Sequence, residues 1–291
     1  MGQYSIRDVE TLSGVKAHTL RIWEQRYGFL KPDRTDTNIR FYNDDQLKLI
    51  LNISTLNRSG MRISKIINLE QQEICNEVQK LSDCQCAPHA LMDALIHSML
   101  DFDEARFEKT LSCAILKHGF EKTFTELVFP MLNRTGMLWA TGAVRAAQEH
   151  FISSLIRRKL CVAIDHQYVE KTPQSRRFLL FLPEGEVHEL ILLFTEFVLR
   201  QNNHDVIYLG SSLPCAELEF VAQAFQPHYL LTYLTVPPFR SNLQQYLDKL
   251  SVFFPNVKIL AGGKQLTCQN LQLPDNVTII NDIPQLLSAI H

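Results

Sequence analysis

The chain has 291 residues, 46% of them hydrophobic and 21% charged. That is length for about two domains and a globular composition, which excludes disorder and fibrous repeats. Lys+Arg number 29 against 31 Asp+Glu, a formal net charge of -2, so a uniformly basic nucleic-acid coat is excluded but a basic patch is not. Residues 1–75 hold 11 basic and 9 acidic side chains and the rest 18 and 22, which places the positive sign at the N-terminus.

The first residues have no apolar stretch of signal-peptide type, and no run approaches the ~18 apolar residues of a membrane span. The most apolar region, 178–199, is broken by Glu184, Glu186, His188, Glu189 and Glu196. Seven irregularly spaced cysteines read as reduced thiols, pointing to a cytoplasmic protein with no membrane contact. Cys84, Cys86 and His89 are only three ligand types in a linker-like segment and read as incidental rather than as a zinc site.

The first region opens with Ser5 as N-cap, followed by Ile6, Val9 and Leu12 at helical spacing. Ser13-Gly14 breaks that helix, and a second runs over 16–27 with Val15, Leu20 and Trp23 or Ile22 on its apolar side. Gly28 and Pro32 end it. Residues 37–42 read as the return strand of a small hairpin turning near Asp36 and Asn38. Asn43 caps a third helix carrying Leu47, Ile50, Leu51, Ile53 and Leu56, and a shorter helix follows Met61.

A nearly continuous helical region begins at Pro88. Its stripes are Leu91, Leu95 and Met99, then Phe107, Leu111 and Ile115, then helices over 120–139 and 144–164, which together make a four-helix bundle. From 176 the pattern alternates. Strands are predicted at 178–182, 205–209, 229–234, 257–261 and 277–280, with helices at 187–200, 216–225, 242–253 and 264–271 between them. Such alternation predicts an open parallel sheet that binds ligands beyond the carboxyl ends of its strands. The fold class is therefore multidomain. An all-α winged helix-turn-helix (1–75) and a linker (76–87) precede a four-helix cap (88–170) and an α/β Rossmann-like parallel sheet (176–291).

Three constellations carry chemistry. Between Lys16 and Arg40 lie six basic residues against three acidic ones, Arg being suited to guanine edges and phosphates and His18 and Thr19 to the backbone. Glu186-Val187-His188 follows the first strand of the sheet, where a carboxylate two residues from an imidazole can hold it in one tautomer as a metal ligand. Thr232, Leu234 and the Gly262-Gly263 pair stand at later strand ends, and a glycine pair lets a bulky ligand approach the backbone. Trp139 precedes Glu149-His150 in the bundle.

Residues 4–42 resemble the winged helix-turn-helix domain of the MerR family. The resemblance rests on Ser5-Ile6, Thr11-Leu12-Ser13-Gly14-Val15, Thr19-Leu20-Arg21-Ile22-Trp23-Glu24, Arg26-Tyr27-Gly28, Arg34-Thr35 and Ile39-Arg40-Phe41-Tyr42. It implies double-stranded promoter DNA as partner. It assigns residues 16–27, with Lys16, His18, Thr19, Arg21, Trp23, Arg26 and Tyr27, to the major groove, and a wing with Arg34, Arg40 and Tyr42 to the backbone.

The α/β motifs resemble the cobalamin-binding fold of base-off corrinoid proteins. That resemblance makes His188 the lower axial cobalt ligand and Glu186 its orienting partner, and places Thr232, Leu234, Gly262 and Gly263 around the nucleotide tail. Ile191 stands where that family has glycine, and Thr232 where it has serine. The spacing of Trp139 from Glu149-His150 resembles the helical cap of the CarH/LitR type of photoreceptor repressor. It implies adenosylcobalamin covered by Trp139 and Glu149, with His150 as a second cobalt ligand after light. The expected function is a transcriptional regulator, not an enzyme, that senses a cobalamin and changes its state as a homo-oligomer (dimer or tetramer). Two alternatives stay open: a ligand-free regulator whose corrinoid domain only oligomerises, favoured by Ile191, and a corrinoid methyl carrier, which has no need of the N-terminal reader.

Overall fold

Capping chemistry starts the N-terminal region. Strand β1 (Tyr4–Ser5) runs directly into α1 (Ile6–Ser13), where the Ser5 hydroxyl accepts from Asp8 N and the Asp8 carboxylate accepts from Ser5 N at 2.8 Å. Gly14, at φ 68°, ends the helix in the left-handed region, and α2 (Ala17–Tyr27) follows. Strands β2 (Asp33–Arg34) and β3 (Arg40–Tyr42) form the wing, and β3 also pairs with β1, giving an antiparallel sheet of order β1-β3-β2. The return strand is thus shorter than the predicted 37–42. The computed structural model describes residues 3–35, 38–84, 88–140, 143–235, 243–267 and 271–290, so of the predicted turn near Asp36 and Asn38 only Asn38 is described, at φ 62° in the left-handed region, and Asp36 and Thr37 lie outside the described residues. Asn43 and Gln46 form a second capping box at the head of α3 (Asp44–Arg58), whose Leu47, Ile50, Leu51, Ile53 and Leu56 are all buried.

After α4 (Ile63–Ile66), α5 (Gln71–Cys84) runs through most of the segment expected to be a linker. Ile74 and Val78, one turn apart and buried, dock it. Cys86 and the side chains of Cys84 and His89 lie outside the described residues. The helical region follows with α6 (Pro88–Asp101), α7 (Glu104–His118), α8 (Phe120–Thr123), α9 (Phe129–Ala140) and α10 (Ala146–Asp165). Between α8 and α9 the helix widens into a π-turn, Phe124–Val128, with Phe129 N–H reaching back to the Phe124 carbonyl. Pro130 sits just beyond and has no N–H with which to continue the ordinary ladder.

The remaining residues build five parallel strands: β4 (Arg177–Phe181), β5 (Asp205–Tyr208), β6 (Tyr229–Tyr233), β7 (Lys258–Gly262) and β8 (Val277–Ile280). Helices α11 (Leu190–Gln201), α12 (Cys215–Phe225), α13 (Leu243–Phe253), α14 (Lys264–Thr267) and α15 (Ile283–Ile290) connect and follow them, the last not predicted. Asn242 and residues 268–270, parts of two predicted helices, lie outside the described residues. The sheet order β5-β4-β6-β7-β8 reverses direction at β4, leaving a crevice beyond the carboxyl end of that strand. Strands β4 and β6 are buried almost throughout because helices cover both faces. The chain divides into two compact units, Met1–Leu155 and Ile156–His291. No described helix is long and apolar enough to cross a membrane.

Within the first unit, α6 is tied to α3. Asp93 is buried and accepts a 2.7 Å hydrogen bond from the Thr55 hydroxyl, with Arg58 Nη1 at 3.6 Å. Arg58 also donates to the Ser13 carbonyl, at the turn between α1 and α2. Burial raises the Asp93 pKa to about 6 despite the opposing Thr55 hydrogen bond and Arg58 charge. A folded-state pKa above the unfolded value of ~3.9 means that the folded state keeps a proton the unfolded chain gives up. This contribution is therefore full below about pH 4 and is lost as the pH rises through about 6. Asp93→Asn should then be more stable than the parent at pH 7 by on the order of 2 kcal/mol, with the difference vanishing near pH 4 in urea unfolding at the two pH values.

Candidate functional site

Helix α2 presents one solvent face. His18, Arg21, Ile22, Gln25 and Arg26 are exposed and recur at the three- and four-residue steps of a helix. Gly28 in the left-handed region stops α2 before the wing. Lys16, just ahead of it, pairs with Glu10 at 3.2 Å, while Glu10 also accepts from Ala17 N at 3.1 Å. Thr19 and Tyr27 are half-buried, with the Arg26 guanidinium 5.4 Å from the Tyr27 ring centroid. Two residues expected to face DNA do not: Trp23 packs beside Phe29 at 5% exposure, and Tyr42 is fully buried. Both fall on the inner side because their neighbours in the pattern, Leu20 and Leu47, form the reader's core. Arg34 and Arg40 are held by one carboxylate, Glu24, at 3.0 and 2.7 Å. That bridge sets the wing against α2, a positioning role that charge counting along the chain cannot distinguish from phosphate contact.

In the second unit the loop after β4 carries Glu186, a carboxylate only 2% exposed. Burial of such a charge requires hydrogen bonds, and four donors supply them. His188 N lies 3.0 Å and His188 Nδ1 2.6 Å from Oε1, while Oε2 accepts from Thr235 N at 2.7 Å and from the Thr235 hydroxyl. An imidazole whose Nδ1–H points to a carboxylate carries its lone pair on Nε2, the form a metal ligand needs. The His188 side chain is 58% exposed. The helix expected from residue 187 begins at Leu190 instead, so Val187 is an exposed loop residue. Thr235 is the member the sequence does not reveal, since it lies 49 positions from Glu186 and has no motif of its own. One residue beyond His188, Glu189 accepts from Arg157 Nε at 2.6 Å and from the Tyr208 hydroxyl at 2.7 Å.

These donors fit a corrinoid at its metal end. The buried Thr232 hydroxyl, which has no hydrogen-bond partner among the described residues, fits a polar ligand group arriving at the end of β6. The glycine pair does not keep an open cradle. A Cβ on Gly262 would stand 2.4 Å from Tyr233 Cε1, and one on Gly263 2.3 Å from the Leu234 carbonyl oxygen, so the chain's own atoms fill that space. Leu234 is itself in the hydrophobic core, and the Tyr233 hydroxyl is tied to Thr195 of α11 at 3.0 Å. In the first unit Trp139 is 54% exposed, which removes it from the bundle core. Glu149 accepts from the Ser153 hydroxyl, and the exposed His150 lies 3.7 Å from it.

The family description "MerR HTH family regulatory protein" matches residues 4–73, and "B12 binding domain" matches residues 91–163. The chain is 28% identical over 283 residues to the HTH-type transcriptional repressor CarH of Myxococcus xanthus, covering 92% of this chain and 93% of that one. It is a MerR-family transcriptional regulator with a B12-binding region. The repressor CarA of the same organism is 26% identical over 76% of this chain and 73% of its own length. The monomethylamine corrinoid protein of Methanosarcina barkeri shares the fold, with a TM-score of 0.55 at 14% identity over 70% of this chain and 98% of that one.

The regulator's glycine pair yields a stability prediction. Gly263, at φ 109°, is also barred to side chains by its backbone conformation. Gly263→Ala should lose about 1–3 kcal/mol. Gly136→Ala in α9, where an added Cβ meets nothing within 4 Å, should gain about 0.5–1 kcal/mol. Denaturant midpoints of the two variants against the parent check both signs.

Proposed function

We propose that this MerR-family regulator binds promoter DNA through the exposed face of α2 and senses a cobalamin, with His188 as the lower cobalt ligand. The observation that carries the ligand reading is the Glu186 carboxylate, which is buried and shared between His188 Nδ1 and Thr235. Glu186 holds the tautomer and aims the ring, His188 offers Nε2 at the carboxyl edge of the sheet, and Thr235 keeps the carboxylate in place. Adenosylcobalamin, the form proposed, supplies a light-cleavable cobalt–carbon bond when bound. Trp139, Glu149 and His150 are proposed as the helical region's contacts to that ligand, with Thr232, Leu234, Gly262 and Gly263 nearest its tail, where Tyr233 must give way.

The regulatory output proposed is a change of oligomeric state in the cytoplasm. A signal alters assembly only if the two states differ in subunit affinity, and losing a second DNA-binding head lowers duplex affinity without any change at Arg21. The expected result is a larger species, by light scattering, in the dark with adenosylcobalamin than after illumination. One mass in the apo, dark-loaded and illuminated states would reject the switch and leave DNA binding intact.

Two further measurements test the parts separately. Full-length protein mixed with adenosylcobalamin in the dark and gel-filtered should retain it one to one, and His188→Ala should abolish retention or change the visible spectrum. A colourless parent with a coloured Ile191→Gly variant would instead support the ligand-free alternative. For the reader, Arg21→Ala should cost ~1–3 kcal/mol of duplex affinity and relax specificity at one position. Arg40→Ala should act through the freed Glu24 and displaced wing, weakening all duplexes alike.

A further inference from the structure

A second candidate site lies in the first unit, away from every residue discussed above as a ligand contact. A cavity of about 520 Å³ opens between α3, α5, α6 and α7, well within the size range of small-molecule pockets. Its apolar wall is Leu49, Val78, Leu91 and Ala94. Into it projects His97, 3% exposed, whose Nε2 has no hydrogen-bond partner among the described residues. A buried polar atom left without a partner costs free energy, and a ligand that hydrogen-bonds it recovers that cost.

The charges around the cavity favour one sign. Lys48, Arg106 and Lys109 line it with Asp101 and Asp103. Asp101 is engaged by Lys48, and Asp103 is used as the N-cap of α7, accepting from Arg106 N at 2.9 Å. With Lys48 and Asp101 offsetting each other, the lining's three cations against two carboxylates leave a net positive charge of one. We propose that this cavity binds a small organic anion with an apolar body, its charged group held by Arg106 and hydrogen-bonded to His97. Burial, with the Arg106 and Lys48 charges adding to it, lowers the His97 pKa to about 3, so the ring is neutral and donates from Nε2 in one tautomer. The lining residues Asn52 and Ala94 belong to the same two helices, α3 and α6, that the Thr55–Asp93 hydrogen bond and the Arg58–Asp93 pair join, and Arg58 continues to the Ser13 carbonyl. An occupant thus bears on the turn that sets α2.

Octanoate is the probe, with octanol as its neutral counterpart, both titrated into the full chain by calorimetry. Exposed free thiols at the cavity, Cys75 and Cys113, give a second readout against the exposed Cys161 outside it. Octanoate should bind one to one, at least tenfold tighter than octanol. It should slow alkylation of Cys75 and Cys113 at least threefold and leave Cys161 unchanged. His97→Leu and Arg106→Met should each weaken octanoate at least tenfold, and Cys113→Trp should block it from the rim. If His97→Leu does not fold, the other two variants, at partly or fully exposed positions, carry the test. No uptake, equal affinity for octanol, or uptake unaffected by Arg106→Met and Cys113→Trp would overturn the site. Amide exchange over residues 13–17 should slow on saturation, and unchanged exchange there would overturn the coupling to α2.

Discussion

The geometry of the second unit's site depends on one buried carboxylate. Glu186 is held in a 2% exposed position by hydrogen bonds whose partners come from two separate strand ends. That bonding fixes the loop after β4 against the residue that follows β6, across the point where the sheet order reverses. The imidazole of His188 is oriented as a consequence. A doubly wound sheet offers such a crevice by topology alone, but the carboxylate turns the crevice into a site with a defined tautomer and direction.

The first unit is organised around α3 in a comparable way. Its apolar stripe builds the core of the reader, and its C-terminal turn carries Thr55 and Arg58 to Asp93 and to the Ser13 carbonyl. The reader and the start of the helical region therefore share one helix as a wall, rather than being joined by a flexible segment. Continuation of α5 to Cys84 strengthens that connection.

Local chemistry made much of this legible. The capping residues Ser5 and Asn43, the helix-ending Gly14 and Gly28, and the alternation of apolar runs after residue 176 each mark an element by a rule that acts within a few residues. Glu186 and His188 were legible for the same reason, being two positions apart. Trp23 and Tyr42 were misplaced because an aromatic residue beside a basic face reads equally as DNA contact or as core, and only their burial in the folded reader, with Trp23 beside Phe29, separates the two. The glycine pair was legible as a close approach, but not as one made by Tyr233 and the Leu234 backbone.

The sequence by itself determined the order of the three regions, the hydrophobic faces of their helices and strands, and the pairing of Glu186 with His188, because periodicity, caps and short spacings are local properties. Tertiary structure alone decided that Thr235 completes the carboxylate's shell, that Glu24 gathers Arg34 and Arg40, that Asp93 meets Arg58, and that His97 faces a cavity. Each of these joins residues ten or more positions apart. Burial and partner choice across such distances are set by how helices and strands pack, and no spacing rule along the chain encodes them.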